Sequence, residues 1–192
     1  MGKAMASRKV KRIHPKKFAL WIALVSATMM FTALTSAYIV RRSGGSWYNF
    51  EMPTSFLWST ATIILSSAVL HLAYKFYVKR EHSTFKGLLI IGFALGLAFV
   101  CLQYLGWQDL ISQDIRVNLN PSSSFLYLIT GLHVVHVIGG MGALGVVLIH
   151  ARRKVHNTVT ESRKLRLELV FTYWHFVDFL WIYLYLFFLV QQ

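Results

Sequence analysis

The sequence predicts an all-α fold, a polytopic membrane bundle of five transmembrane helices with the N-terminus inside and the C-terminus outside. Three observations carry that reading. Hydrophobic residues make up 56% of the chain and charged residues only 14%. The apolar residues fall in uninterrupted blocks of the length, about 20 residues, that a helix needs to cross roughly 30 Å of hydrocarbon. The Lys and Arg residues gather in alternate connections, which is the mark of segments retained on the inner side.

The blocks are residues 18–39, 56–78, 85–107, 124–149 and 170–190. No charge interrupts the first four before their ends, whereas a soluble bundle would carry a charged face along each helix. The first span follows a basic segment and could be mistaken for a secretory signal, but its apolar core exceeds the roughly 15 residues of such a signal, so a retained helix is expected. Residues 1–17 read as a basic cytoplasmic arm and 18–192 as one transmembrane domain. Of the 20 Lys and Arg, seventeen lie before the first span or in the second and fourth connections, and only Arg41, Arg42 and Arg116 on the other side. The net charge of +13 is therefore a topology signal and calls for no nucleic acid. Cys101, the single cysteine, permits neither an intramolecular disulfide nor a thiolate metal cluster.

Small residues mark where helices approach in lipid, because no hydrophobic force separates helix contact from lipid contact there. Gly92 and Gly96 form a GxxxG pair in the third span, Gly139, Gly140, Gly142 and Gly145 narrow the fourth, and Thr62, Ser66 and Ser67 serve the second. These predict packing and identify no activity.

Ionisable groups inside spans are costly, about 3 kcal/mol each on insertion scales, so they are expected to be paired and interior-facing. His133 and His136 stand three apart and share a helix face, as do His175 and Asp178, and Asp178 could accept a hydrogen bond from a nearby His ring. Imidazole also suits iron, copper and zinc. A haem pair needs ligands at matching depth, however, and His133 and His175 differ by about 10 Å at 1.5 Å per residue; His136 lies closer in depth. A structural or lipid-contacting polar network is the favoured reading, with no metal in this chain.

The block from Gly131 to Gly140, GLHVVHVIGG, followed by a basic connection and then by Glu168 and TYWHFVDFLW, resembles subunit III of haem-copper terminal oxidases. The likeness rests on Gly131, His133, His136, Val137 and Gly140, then on Glu168 seven residues ahead of His175 within Tyr173, Trp174, His175, Phe176, Val177, Asp178 and Trp181. SSSFLYLITGLH, residues 122–133, is similar to the family's entry into that helix. The resemblance implies a subunit of an oxygen-reducing, proton-pumping respiratory complex of the bacterial plasma (inner) membrane. It implies no catalytic residue and no cofactor in this chain, with haem and copper in the partner subunits. Its partners would be oxidase subunit I as the main contact, then subunit II, and bound phospholipid. The role implied is to stabilise the catalytic subunit and hold lipids, with His133, His136, Glu168, Trp174, His175 and Asp178 in the lipid-binding or structural interior.

Two departures qualify the likeness. The longer family form has two further spans that wall a lipid cleft, so this chain resembles the short five-helix bacterial form, and its lipid binding is expected to be weaker or completed by a neighbour. Ser26 is followed by Ala27 where the family often carries a buried Glu, so no role of that carboxylate transfers. Two other readings stay open on sequence: an accessory membrane protein of a nitric-oxide reductase, and an independent b-type haem protein using His136 with His71 or His175.

Overall fold

The computed structural model describes residues 14–45, 47, 51–118, 120–152 and 161–191. Among these the chain forms five long helices and no strands: α1 (Pro15–Arg42), α2 (Thr54–Val78), α3 (His82–Ser112), α4 (Pro121–Arg152) and α5 (Glu161–Val190). All five are long and apolar enough to cross a membrane. The chain is a multi-pass membrane protein.

Each helix outruns the apolar block that predicts it, because a helix does not stop where the hydrocarbon does. The largest extension is at α5, which begins at Glu161 and carries Arg163, Lys164 and Arg166 before its apolar core. The cytoplasmic arm expected over 1–17 is shortened in the same way. Residues 1–13 lie outside the described residues, and Pro15, Lys16 and Lys17 form the first turn of α1, where proline at the first helical position suits an N-terminus. α4 starts equally cleanly at Pro121: the Asn120 side chain accepts from Ser123 N at 3.0 Å while Asn120 N donates to Ser123 Oγ at 3.4 Å, satisfying donors that a helix start leaves free.

Two helices end on non-glycine residues in the left-handed region, Arg80 (φ 63°) and Asp114 (φ 60°). After α2, Glu81 N bonds Phe76 O at 3.0 Å and Arg80 N bonds Tyr77 O at 3.1 Å; after α3, Ile115 N bonds Leu110 O and Asp114 N bonds Ile111 O, both at 3.0 Å. This is the paired hydrogen-bond pattern that closes helix C-termini, usually on glycine. The first of these turns leaves only residues 79–81 between α2 and α3, folding them into a tight antiparallel hairpin.

α2, α3, α4 and α5 close into a ring in which α5 meets both α2 and α4. α1 lies outside it, packed on α4 and α5. It runs parallel to α5, since Lys17, Thr35 and Arg42 meet Glu168, Tyr183 and Gln191 in the same order. α2 runs antiparallel to α5, with Tyr74, Ser67 and Thr60 meeting Glu168, His175 and Trp181.

Glycines set how closely the ring can close. A methyl at Gly92 would lie 2.5 Å from Leu70 Cδ2 of α2, and one at Gly96 would lie 2.7 Å from Trp174 Cη2 of α5 and 3.1 Å from Met141 Sδ of α4. The two glycines of the GxxxG pair thus receive different helices. Gly140 receives the other edge of the same indole: a methyl there would lie 3.1 Å from Trp174 Cε3. Gly139 does not share this role: it is exposed, and a methyl there would meet only Tyr173 Oη at 3.8 Å. One helical position of rotation turns it outward from the face that Gly140 presents.

Candidate functional site: a buried polar and aromatic network

The site residues lie on α4 and α5, and the fold sorts them into three levels along the bundle. At the basic end Glu168 ties three helices together. Its Oε2 pairs with Lys17 Nζ of α1 at 2.8 Å, and its Oε1 accepts from the Tyr74 hydroxyl of α2 at 3.1 Å. Both ion-pair partners retain solvent contact, 44% for Lys17 and 28% for Glu168, so the pair acts as an interfacial clamp more than as a buried charge.

One level deeper, His175 Nδ1 and Ser67 Oγ of α2 lie 2.5 Å apart, and the His175 and His71 rings face each other with centroids 6.1 Å apart. Asp178 shares that face of α5 and is 97% buried. The expected His–Asp hydrogen bond is absent: the His175 nitrogen goes to Ser67, and neither Asp178 oxygen has a hydrogen-bond partner among the described residues. Spacing of three puts both side chains on one face, and there the Ser67 hydroxyl is taken by the His175 ring.

The third level is aromatic. His133 is fully buried, and its ring lies among Trp181 (centroid distance 5.0 Å), Phe99 (5.8 Å) and Phe31 (6.4 Å). Neither ring nitrogen of His133 has a hydrogen-bond partner among the described residues. Trp181 in turn stacks on Phe56 at 6.2 Å and donates its indole N–H to Thr60 Oγ1 at 2.9 Å, so α2, α3, α4 and α5 meet at one indole. His136 shares the face of His133, as its spacing implies: its ring packs edge-on to Phe31 at 5.5 Å. Its Nδ1–H donates to Leu132 O of its own helix at 2.8 Å, and the carbonyl of His136 accepts from Tyr173 at 3.1 Å. Trp174 is buried between the glycines already described, its indole nitrogen without a hydrogen-bond partner among the described residues.

Ser66, expected at a helix contact, donates to Gly92 O of α3 at 3.0 Å. Several other members of the network escape sequence reading. Gln103 donates to Ser59 at 3.0 Å inside the α2–α3 hairpin, and Ser55 donates to Asp109. Trp107 of α3 donates to Thr130 of α4 at 3.1 Å, and Thr35 of α1 meets Tyr183 of α5 at 2.9 Å. The available signal was only that each is a polar residue inside, or at the end of, an apolar run. In lipid such a residue finds its partner across a helix interface.

Glu168, His71 and His175, with Lys17 and Tyr74, also line a crevice of about 420 Å³ over α5 between α1 and α2. Those two helices do not touch each other among the described residues. His133, Trp174 and Asp178 are sealed from it by burial, so of the six residues expected to act together two line the crevice, three are core, and His136 sits half-buried against Phe31 of α1.

The sequence pattern of the family described as cytochrome c oxidase subunit III matches residues 11–191. The chain belongs to that family. Similar proteins include the "Probable cytochrome c oxidase subunit 3" of Nocardia farcinica, 28% identical over 85% of this chain and 80% of its own length. The "Probable quinol oxidase subunit 3" of Staphylococcus haemolyticus is 23% identical over 88% of this chain and 85% of its own. The "Cytochrome bo(3) ubiquinol oxidase subunit 3" of Buchnera aphidicola subsp. Acyrthosiphon pisum is 25% identical over 87% and 82%. Membership of the subunit III family makes this chain a non-catalytic component of a haem-copper oxidase complex, associated with other oxidase subunits.

Proposed function

We propose that this chain is a structural, non-redox subunit of a respiratory oxidase in the bacterial plasma membrane, bound mainly to the catalytic subunit I and also near subunit II. Haem and copper reside in those partners, and the chain itself carries no catalytic centre. Its N-terminus and basic end face the cytoplasm, as the distribution of Lys and Arg indicates. The observation that carries the reading is the interior. The intramembrane histidines join helices or are packed among aromatic rings, and Asp178 is buried in the same interior; this makes a rigid block suited to buttressing a neighbour.

The lipid-holding part of the role belongs to the crevice lined by His71, Glu168 and His175, where a cationic Lys17 stands at the membrane boundary above apolar walls. The buried His133, Trp174 and Asp178 contribute rigidity. Purification from the native membrane in mild detergent tests the assignment. Copurified haem-copper subunits with oxygen uptake driven by reduced cytochrome c or by quinol support it and name the donor. Copurification with a nitric-oxide-reducing enzyme, or a haem spectrum from this chain alone, contradicts it.

A further inference from the structure

His71 of α2 stands inside a span, seven residues before Val78, yet it is exposed and holds no hydrogen bond among the described residues. An ionisable side chain at that depth is costly and is kept where it faces a cavity or a partner. His71 faces both. Its ring lies 6.1 Å from that of His175 of α5, centroid to centroid, with the two planes tilted by 59°, and both residues line the crevice of about 420 Å³.

One nitrogen of His175 is already engaged. Nδ1 lies 2.5 Å from Ser67 Oγ, and with Nδ1–H donating to that hydroxyl the Nε2 lone pair is free. Imidazoles that bind metal commonly donate their other ring N–H in this way, which fixes the tautomer and the ring orientation. Ser67 and His71 stand four apart on α2 and share a face. That face thus supplies both the group that orients His175 and a second imidazole beside it.

The spacing suits a shared ion. A zinc–nitrogen bond of about 2.0–2.1 Å puts the ion about 3.2 Å from the ring centre, so two rings on one ion stand about 5–6.4 Å apart, depending on the angle between the bonds. The 6.1 Å between these rings lies in that range. No third His, Cys, Asp or Glu joins them in a cluster among the described residues, which leaves the remaining positions around an ion to water. Imidazole suits zinc, and zinc imposes no geometry of its own. An ion also has a way in. Tyr74, three residues from His71, marks the level of the Lys17–Glu168 pair, where both charged partners keep solvent contact, so His71 lies about one helical turn below a wet mouth.

We propose that His71 and His175 form a two-imidazole binding site for a zinc ion, reached from the basic end of the bundle through this crevice and pinning α2 to α5 when filled. The inference rests on the facing rings and on the fold, not on the role in an oxidase. The test uses the chain with whatever subunits accompany it, purified in mild detergent, treated with a chelator, and titrated with zinc. Zinc held elsewhere is common to wild type and His71→Asn, so the difference between them counts this site.

Wild type is expected to hold one zinc per chain more than H71N, and zinc should raise the thermal midpoint of wild type alone. Ser67→Ala keeps both imidazoles but removes the hydroxyl that orients one, and should weaken zinc binding by about 10–100-fold. In wild type, zinc should also shield His71 and His175 from modification by diethyl pyrocarbonate, read residue by residue by mass spectrometry; this decides the matter if the variants fail to fold. Equal zinc in wild type and H71N, which marks an adventitious ion only, overturns the proposal. So does modification of both histidines at an undiminished rate in saturating zinc.

Discussion

Gly96 offers the sharpest perturbation, because its substitution by alanine adds one methyl at a place where the distances are known. The new Cβ would stand 2.7 Å from Trp174 Cη2, 3.0 Å from Cζ2 and 3.1 Å from Met141 Sδ. Carbon atoms pack optimally at about 3.5–4.0 Å, so the indole must retreat by close to 1 Å. It has little room, since its opposite edge lies against α4 at Gly140, where even a methyl would come within 3.1 Å of Cε3, and Trp174 is 1% exposed. Overpacking of this kind costs about 1–3 kcal/mol. At about 2–4 °C per kcal/mol for a chain of this size, G96A should lower the thermal midpoint of the purified protein by roughly 2–12 °C. G142A is the control: the same methyl on α4 meets nothing within 4 Å and should leave the midpoint within about 1 °C. In a W174F background the penalty of G96A should shrink, because the smaller ring relieves the contact, and the two substitutions should be coupled by more than about 0.5 kcal/mol. Equal midpoints for G96A and G142A, or strict additivity with W174F, would refute the argument that these glycines exist to admit the indole.

Other perturbations test other levels. Thr60→Val keeps the shape but leaves the buried Trp181 N–H without its acceptor, a loss of about 1–3 kcal/mol that should appear as a lower midpoint and altered tryptophan fluorescence. Glu168→Gln releases Lys17 and weakens the Tyr74 contact; with both charges partly exposed the cost should be no more than about 1 kcal/mol, and the difference from wild type should narrow as salt is raised. Arg80→Gly removes a non-glycine residue from the left-handed region, where L-residues incur about 1–2 kcal/mol, so the thermal midpoint should rise. Asp178→Ala empties a site buried against α2 and should lower the fraction of the chain retained by the complex through detergent purification; unchanged subunit content would count against a structural role for this residue.

The spans were legible because lipid leaves the sequence few choices: a helix that crosses hydrocarbon must satisfy its backbone internally and be apolar throughout. Their ends were less so, since residues 161–169 continue α5 with charged side chains that no hydropathy pattern distinguishes from a loop. Neighbour relations were hidden. Nothing local says that α1 packs on α4 and α5 and not on α2, its neighbour in sequence, and without that the link from Glu168 to both Lys17 and Tyr74 cannot be read. His175 and Asp178 were correctly placed on one face, yet the partner of His175 is Ser67, 108 residues away. Gly139 and Gly140 look identical in sequence and differ only in which one faces Tyr173 and Trp174. Composition identifies the residues available for helix contact, and tertiary register decides which are used.

The central claim is that this chain supports an oxidase without taking part in its redox chemistry, and deletion of the chain tests it most directly. Oxidase purified with and without it should show the same haem content and initial oxygen uptake per haem, while activity without it should decay over fewer turnovers. A loss of haem in proportion to the missing chain, or a decay indistinguishable from that of the complete complex, would contradict the account.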